Sequence, residues 1–261
     1  MARRTLIVGN WKMHLNVSQA SLLVHRLQER TRMHRSIEVV LAPSMLALQP
    51  LSLQIDRRKF RLAAQNAFYK DEGAYTGEVS FTMLRDLVHY AIVGHSERRM
   101  YFHEDLPTVR EKVAAAVRNE ITPIICVGET QHERKEGMTK RVLHDQVTTA
   151  LANLTAREVR DAVIAYEPVW AIGTGDPEKP DDIQRSLNFI RYNVAQLYGE
   201  KIGAAVRVLY GASVEPEFVA GILSLEGCDG LLVGGASINP YKFAGIIDAA
   251  YRLQHELGNE D

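Results

Sequence analysis

The sequence predicts an α/β protein built as a single (β/α)8 barrel over residues 1–261, and three observations carry that prediction. The chain has 261 residues, which at a soft ~150 residues per domain leaves two small domains or one barrel of about 250. Eight short apolar runs recur along it, separated by segments of helical period. The resulting strand–helix units average about 33 residues, close to the ~30 that a βαβ unit needs.

The apolar runs are Thr5–Val8, Ile37–Leu41, Leu62–Ala64, Tyr90–Val93, Pro123–Val127, Ala162–Tyr166, Val206–Tyr210 and Gly230–Val233. Most lack polar alternation, the pattern of parallel strands buried on both faces. Between them, Ala20, Leu23, Val24 and Leu27 fall at i, i+3, i+4 and i+7 behind an Asn16…Gln19 capping box. A second stripe runs Leu106, Val109, Val113, Val117, with Pro107 suited to a first helical turn. A third runs Ile183, Leu187, Ile190, Val194, Leu197 and stops at Gly199. Ile246, Ile247, Ala250 and Leu253 predict a last amphipathic helix. An open doubly wound sheet fits the same alternation, but the even size of eight units favours closure.

Composition bounds the function. The chain is 46% hydrophobic and 24% charged, as folded globular domains are. Lys and Arg total 31 against 32 Asp and Glu, a formal charge of −1, so neither nucleic acid nor an anionic membrane surface is expected as a main partner. Cys126 and Cys228 make no C-x-x-C pair and lie in or beside apolar runs, which suits buried, reduced thiols in a cytoplasmic protein. No apolar run approaches the ~18 residues of a membrane span. Leu6-Ile7-Val8 after Arg3 and Arg4 is too short for a signal segment.

In either architecture reactive groups gather at the carboxyl ends of strands. The first run ends in Asn10, Trp11 and Lys12, the fourth in Gly94-His95-Ser96-Glu97-Arg98, and the sixth in Glu167 before Pro168. Glu167 closing an apolar strand suits a base or a structural ion pair. His95 suits catalysis or a turn cap, and Lys12 suits charge stabilisation or a framework pair with Glu97. The seventh and eighth runs end in Gly211-Ala212-Ser213 and Gly234-Gly235-Ala236-Ser237. Glycines there let backbone N–H groups approach an anion, and two adjacent loops of this kind favour a phosphate site over plain tight turns. Pro168–Gly175 is unusually apolar for a loop, which suits a lid over a site or a loop packed on a neighbouring helix. No dinucleotide, nucleotide-hydrolysis, serine-nucleophile or zinc motif is present.

These segments, in order, resemble the triosephosphate isomerase family. The resemblance rests on Gly9-Asn10-Trp11-Lys12-Met13, Val93–Arg99, Cys126-Val127-Gly128-Glu129-Thr130, Ala165–Gly175 and Leu232–Ser237. It implies an isomerase of small phosphorylated sugars that needs no metal and no organic cofactor. It implies Glu167 as the base, His95 as a neutral hydrogen-bond donor, Lys12 with Asn10 as charge stabilisers, and Glu97 as their support. Gly173, Ser213, Gly234 and Gly235 would hold the phosphate. It further implies a homodimer in which the Gly73–Ser80 loop enters the partner. An isomerase of a four-carbon ketose phosphate and a catalytically silent phosphate-binding barrel are the competing readings. The chain departs from the family at Ala212, at Asp176-Pro177-Glu178 after the lid, at His14 and at Ser44. Ala212 would be strained if its φ were positive, and Pro177 would stiffen the lid's second hinge.

Overall fold

The computed structural model describes residues 4–32, 35–172 and 178–257. Eight strands, Thr5–Asn10 (β1), Ile37–Ala42 (β2), Phe60–Ala64 (β3), Tyr90–Val93 (β4), Thr122–Val127 (β5), Val163–Tyr166 (β6), Arg207–Tyr210 (β7) and Gly230–Val233 (β8), close into one barrel in sequence order. Every pairing is parallel, and β1 pairs β8 to shut the sheet. The helices are α1 (Val17–Arg30), α2 (Met45–Ser52), α3 (Phe81–Leu84), α4 (Ser96–Tyr101), α5 (Leu106–Arg118), α6 (Gln131–Lys135), α7 (Thr139–Leu151), α8 (Ala156–Asp161), α9 (Pro180–Tyr198), α10 (Glu200–Ala205), α11 (Val219–Leu223) and α12 (Pro240–Leu257). Among the described residues no helix is long and apolar enough to cross a membrane.

Local chemistry explains the element boundaries. The Asn16 side chain accepts from the Gln19 amide and the Gln19 side chain answers the Asn16 amide, so α1 starts on a complete capping box. Its stripe of Ala20, Leu23, Val24 and Leu27 is buried against the barrel. Asp105 caps α5, with Pro107 in its first turn. Gly199, at φ +90, ends α9. Leu197, assigned above to the buried stripe, is instead about half exposed. It lies in the last turn of α9.

Two cores result from the period of two along each strand. One residue set faces inward (Leu6, Val8, Val40, Ala42, Ala63, Ile92, Ile124, Cys126, Val163, Ala165, Leu209, Leu232) and forms a cluster of its own inside the barrel. The alternating set, including Ile7, Leu41, Val93, Ile125, Ile164 and Val208, packs under the helices. Both faces are dry, which is why the strands read as unbroken apolar runs.

The inner register also determines what closes each end. At the amino-terminal end, two residues before Val40, Ala63 and Leu209, stand Glu38, Arg61 and Arg207. Tyr90 Oη donates to Glu38 at 2.8 Å, while Arg207 donates to Glu38 at 3.0 Å and to Tyr90 Oη at 2.9 Å. Arg61 lies 3.1 Å from the same carboxylate. Burial alone would raise the Glu38 pKa; Arg207, Tyr90 and Arg61 outweigh it and hold Glu38 below its ordinary value. The barrel floor is therefore a satisfied charged plug. Arg207→Met would leave Glu38 buried without its main partner, and we expect a loss of about 3 kcal/mol by urea unfolding. Unchanged stability would contradict this account of the floor.

Candidate active site

The opposite end of the barrel follows from the same register. Two residues beyond the last inward positions Val8, Ala63, Ile92, Cys126, Ala165, Leu209 and Leu232 stand Asn10, Gln65, Gly94, Gly128, Glu167, Gly211 and Gly234. These positions hold two amides, one carboxylate and four glycines, and Asn10, Glu167, Gly211 and Gly234 among them line the mouth cavity. Glycine at 128 is required by close approach, since a Cβ there would sit 1.8 Å from the Glu167 carbonyl oxygen. The Glu167 amide donates to the Val127 carbonyl at 2.7 Å, extending the β5–β6 ladder one step and aiming the side chain inward.

Glu167 meets His95 at the centre of this mouth. Its Oε1 lies 3.1 Å from His95 Nε2, and its Oε2 accepts from the Ser96 amide at 3.4 Å. Both side chains are almost wholly buried. His95 precedes the first turn of α4, and its Nδ1 accepts from the Glu97 amide at 3.2 Å, as a capping side chain would. A ring nitrogen that accepts an amide N–H carries no proton, so the ring's hydrogen belongs on Nε2, facing Glu167. Burial alone would raise the Glu167 pKa; contact with His95 and the Ser96 amide holds it below the usual glutamate value. Burial alone would lower His95, and the Glu167 carboxylate raises it instead. Glu97 adds to that rise, but the larger share depends on the contact with Glu167.

Lys12 reaches the mouth from β1 on a strained backbone, with φ +52 in the left-handed region. Three contacts hold it. Its amide donates to Asn10 Oδ1 at 3.1 Å, its carbonyl accepts from Gln65 Nε2 at 2.8 Å, and its ammonium pairs with Glu97 Oε1 at 2.5 Å. Gln65 also donates to the Ala42 carbonyl, joining β1, β2 and β3 at the rim. Glu97 therefore serves Lys12 through its side chain and His95 through its amide. Arg99 ties two strand ends, donating to the carbonyls of Gly94 and Cys126.

Gly234 lies beside Lys12, with its open Cβ position 3.6 Å from Lys12 Cε, and a Cβ on Gly235 would meet nothing within 4 Å. Ser237 fastens this loop to β1, donating to the Asn10 carbonyl at 3.3 Å. Ser213 Oγ donates to the Ala171 carbonyl at 2.9 Å, linking the β7 loop to the chain that follows Glu167. Ala212 is absent from the positive-φ residues and packs half-buried on the core, so the strain raised above does not arise in this conformation. Gly173 and the Asp176-Pro177 pair lie outside the described residues. Asn10, Lys12, His95, Glu167, Gly211, Ala212 and Gly234, with Ile172 and Leu232, bound a cavity of only about 20 Å³.

Several contributors have no role assigned from sequence, among them Gln65, Glu129 and Arg134. Gln65 was identifiable as the inward residue after Ala63, a signal that needs the register of β3. Glu129 is fully buried and receives Tyr166 Oη, Trp170 Nε1 at 3.3 Å and Arg134 Nη1 at 3.2 Å. Arg134 also donates to Glu178 at 2.5 Å and lies 4.4 Å from the Trp170 ring centroid. The segment Val169–Ala171 is therefore packed on the end of β5 and on α6. Nothing local in the sequence marks Arg134 and Glu178 as partners 44 positions apart.

A family model described as triosephosphate isomerase matches residues 5–250. The triosephosphate isomerase of Moorella thermoacetica is 46% identical over 247 residues, which cover 94% of this chain and 98% of that protein. The one from Geotalea uraniireducens is 42% identical over 246 residues, covering 94% and 98%. The one from Chloroherpeton thalassium is 43% identical over 250 residues, covering 95% and 99%. Matched along nearly its whole length, on a closed barrel, the chain belongs to the triosephosphate isomerase family.

Proposed function

We propose that the chain, acting as one barrel unit over 1–261, interconverts dihydroxyacetone phosphate and glyceraldehyde 3-phosphate by proton transfer through an enediolate, without metal or organic cofactor. The observation that supports this most is the buried Glu167 carboxyl 3.1 Å from His95 Nε2, with Lys12 at the same mouth. Glu167 takes a proton from the carbon beside the carbonyl and returns it to the neighbouring carbon. His95 donates its Nε2 hydrogen to the carbonyl oxygen as negative charge grows there. Lys12, held by Asn10 and Glu97, offsets that charge from a second side. A cavity of about 20 Å³ has room for roughly one water, and in this reading the carboxylate parts from His95 as substrate enters. Separation from His95 removes the contact that lowers the Glu167 pKa, and the base strengthens as it reaches the substrate.

Backbone N–H groups at Ser213, Gly234 and Gly235, with Gly173, are assigned to the phosphate. One ammonium and oriented amides suffice for a small dianion, so a near-neutral protein can bind it. Excluding water protects the enediolate, which would otherwise expel phosphate before reprotonation. Two free thiols, Cys126 buried and Cys228 half-buried, are consistent with a reducing, cytoplasmic setting.

A homodimer is supported by what the rim leaves uncovered. Met13 is 96%, Leu46 82% and Met83 63% exposed. They follow β1, β2 and the β3 loop, so a second copy would cover them together. The 70–80 loop is shaped by its own contacts. Tyr75 packs on Phe68 at 4.6 Å between centroids, and Arg118 pairs with Asp71 at its base. The loop therefore projects as a preformed element.

Glu167→Ala should lower kcat by about 10²–10⁴ in a coupled isomerase assay while circular dichroism stays unchanged. In the parent protein, kcat/KM should fall on the acid side only below the ordinary glutamate range, since the base must be deprotonated and its pKa is depressed. Full activity in the variant would contradict the assignment of the base. Sedimentation should give a dimer that Leu46→Asp with Met83→Asp converts to monomer. A monomeric parent protein would contradict the interface.

A further inference from the structure

Away from the mouth, a cleft of about 280 Å³ opens between α7 and α9 beside α6. Its wall is apolar, made by Leu143 of α7 and the half-buried ring of Phe189 of α9. Its edge carries three cations, Arg134, Lys140 and Arg185, against one carboxylate, Asp182. That carboxylate is already shared, accepting from Arg134 Nη2 at 3.0 Å and pairing with Arg185. Lys140 makes no ion pair among the described residues, and its ammonium stands 5.8 Å from the Phe189 ring centroid.

Two further features make the edge positive. α7 starts here, and no side chain caps its first turn, so the positive end of a 13-residue helix opens on the cleft. Arg134 is balanced from behind by Glu129 and Glu178, yet burial pushes Glu178 up to about 7, with Glu129 adding to the rise against Arg134. At neutral pH that balance is incomplete. A volume of 280 Å³ corresponds to roughly nine waters at ~30 Å³ each, the size of one ring with a charged head.

We propose that this cleft is a second ligand site, distinct from the catalytic mouth, for a small organic anion with a ring or branched-alkyl body and a phosphate or carboxylate head. The body lies against Leu143 and Phe189. The head lies between Lys140 and Arg185, within reach of Arg134. Because Arg134 stacks on Trp170 and holds Glu129 and Glu178, an anion bound here competes for the guanidinium that packs the segment after the catalytic base. Occupancy therefore changes the surroundings of Trp170, and the buried Trp11 serves as the unaffected internal reference.

The test is calorimetric titration of phenyl phosphate into the full chain, with inorganic phosphate at a concentration that saturates the catalytic mouth. One site per chain is expected, accompanied by a change in Trp170 emission. Lys140→Glu with Arg185→Glu should weaken it at least tenfold, and Phe189→Ala should weaken phenyl phosphate while isomerase activity in both variants stays within twofold. Lys140→Gln alone, a single exposed change, should move affinity in the same direction if the double variant unfolds. Phenol, which has the ring without the charge, should not bind. Absence of a second site in the parent protein, or affinity unchanged in the charge variants, would overturn the proposal.

Discussion

The contact between the Glu167 carboxylate and the Nε2–H of His95 organises the catalytic mouth. A carboxylate with so little access to water favours its neutral form unless hydrogen bonds answer its charge. Here the imidazole and the Ser96 amide answer it. The tautomer that makes the contact possible is in turn set by the Glu97 amide on Nδ1. Each neighbouring feature serves this pair. Gly128 lets the backbone of Glu167 pass, Arg99 joins the ends of β4 and β5, and Gln65 holds Lys12 in its left-handed backbone. The polar groups of the mouth are thus held by strand ends.

The barrel divides its polar groups by level. On the floor, Glu38, Arg61, Tyr90 and Arg207 satisfy one another completely enough to behave as structure. At the mouth, the inward positions are mostly glycine and amide, and the charged groups there have partners that a substrate can replace. Stability and chemistry therefore occupy opposite ends of the same inward register, with an apolar middle layer insulating one from the other.

Much of this is legible before any coordinates. Strands buried on both faces read as unbroken apolar runs, so all eight were located to within about two residues, and the α1 capping box was visible in Asn16 and Gln19. Asn10, Lys12, His95 and Glu167 were legible because each interrupts an apolar run at its carboxyl end. Gln65 does the same after Ala64, but its role needs the inward register of β3. The Arg134 cluster was not legible at all, since Glu129, Trp170, Glu178 and Asp182 meet it only through the tertiary packing of three connections. Ala212 shows the reverse case, a strain suggested by comparison with the family that the backbone does not carry.

The claim on which the rest turns is that a carboxylate moves a proton through an enediolate, and isomerisation in heavy water tests it most directly. A proton taken by Glu167 can exchange with solvent before it is returned, so deuterium should enter the product at the carbon that receives it, and should also enter recovered substrate. Product and recovered substrate formed at the normal rate without any carbon-bound deuterium would contradict a solvent-exchangeable proton carried by Glu167.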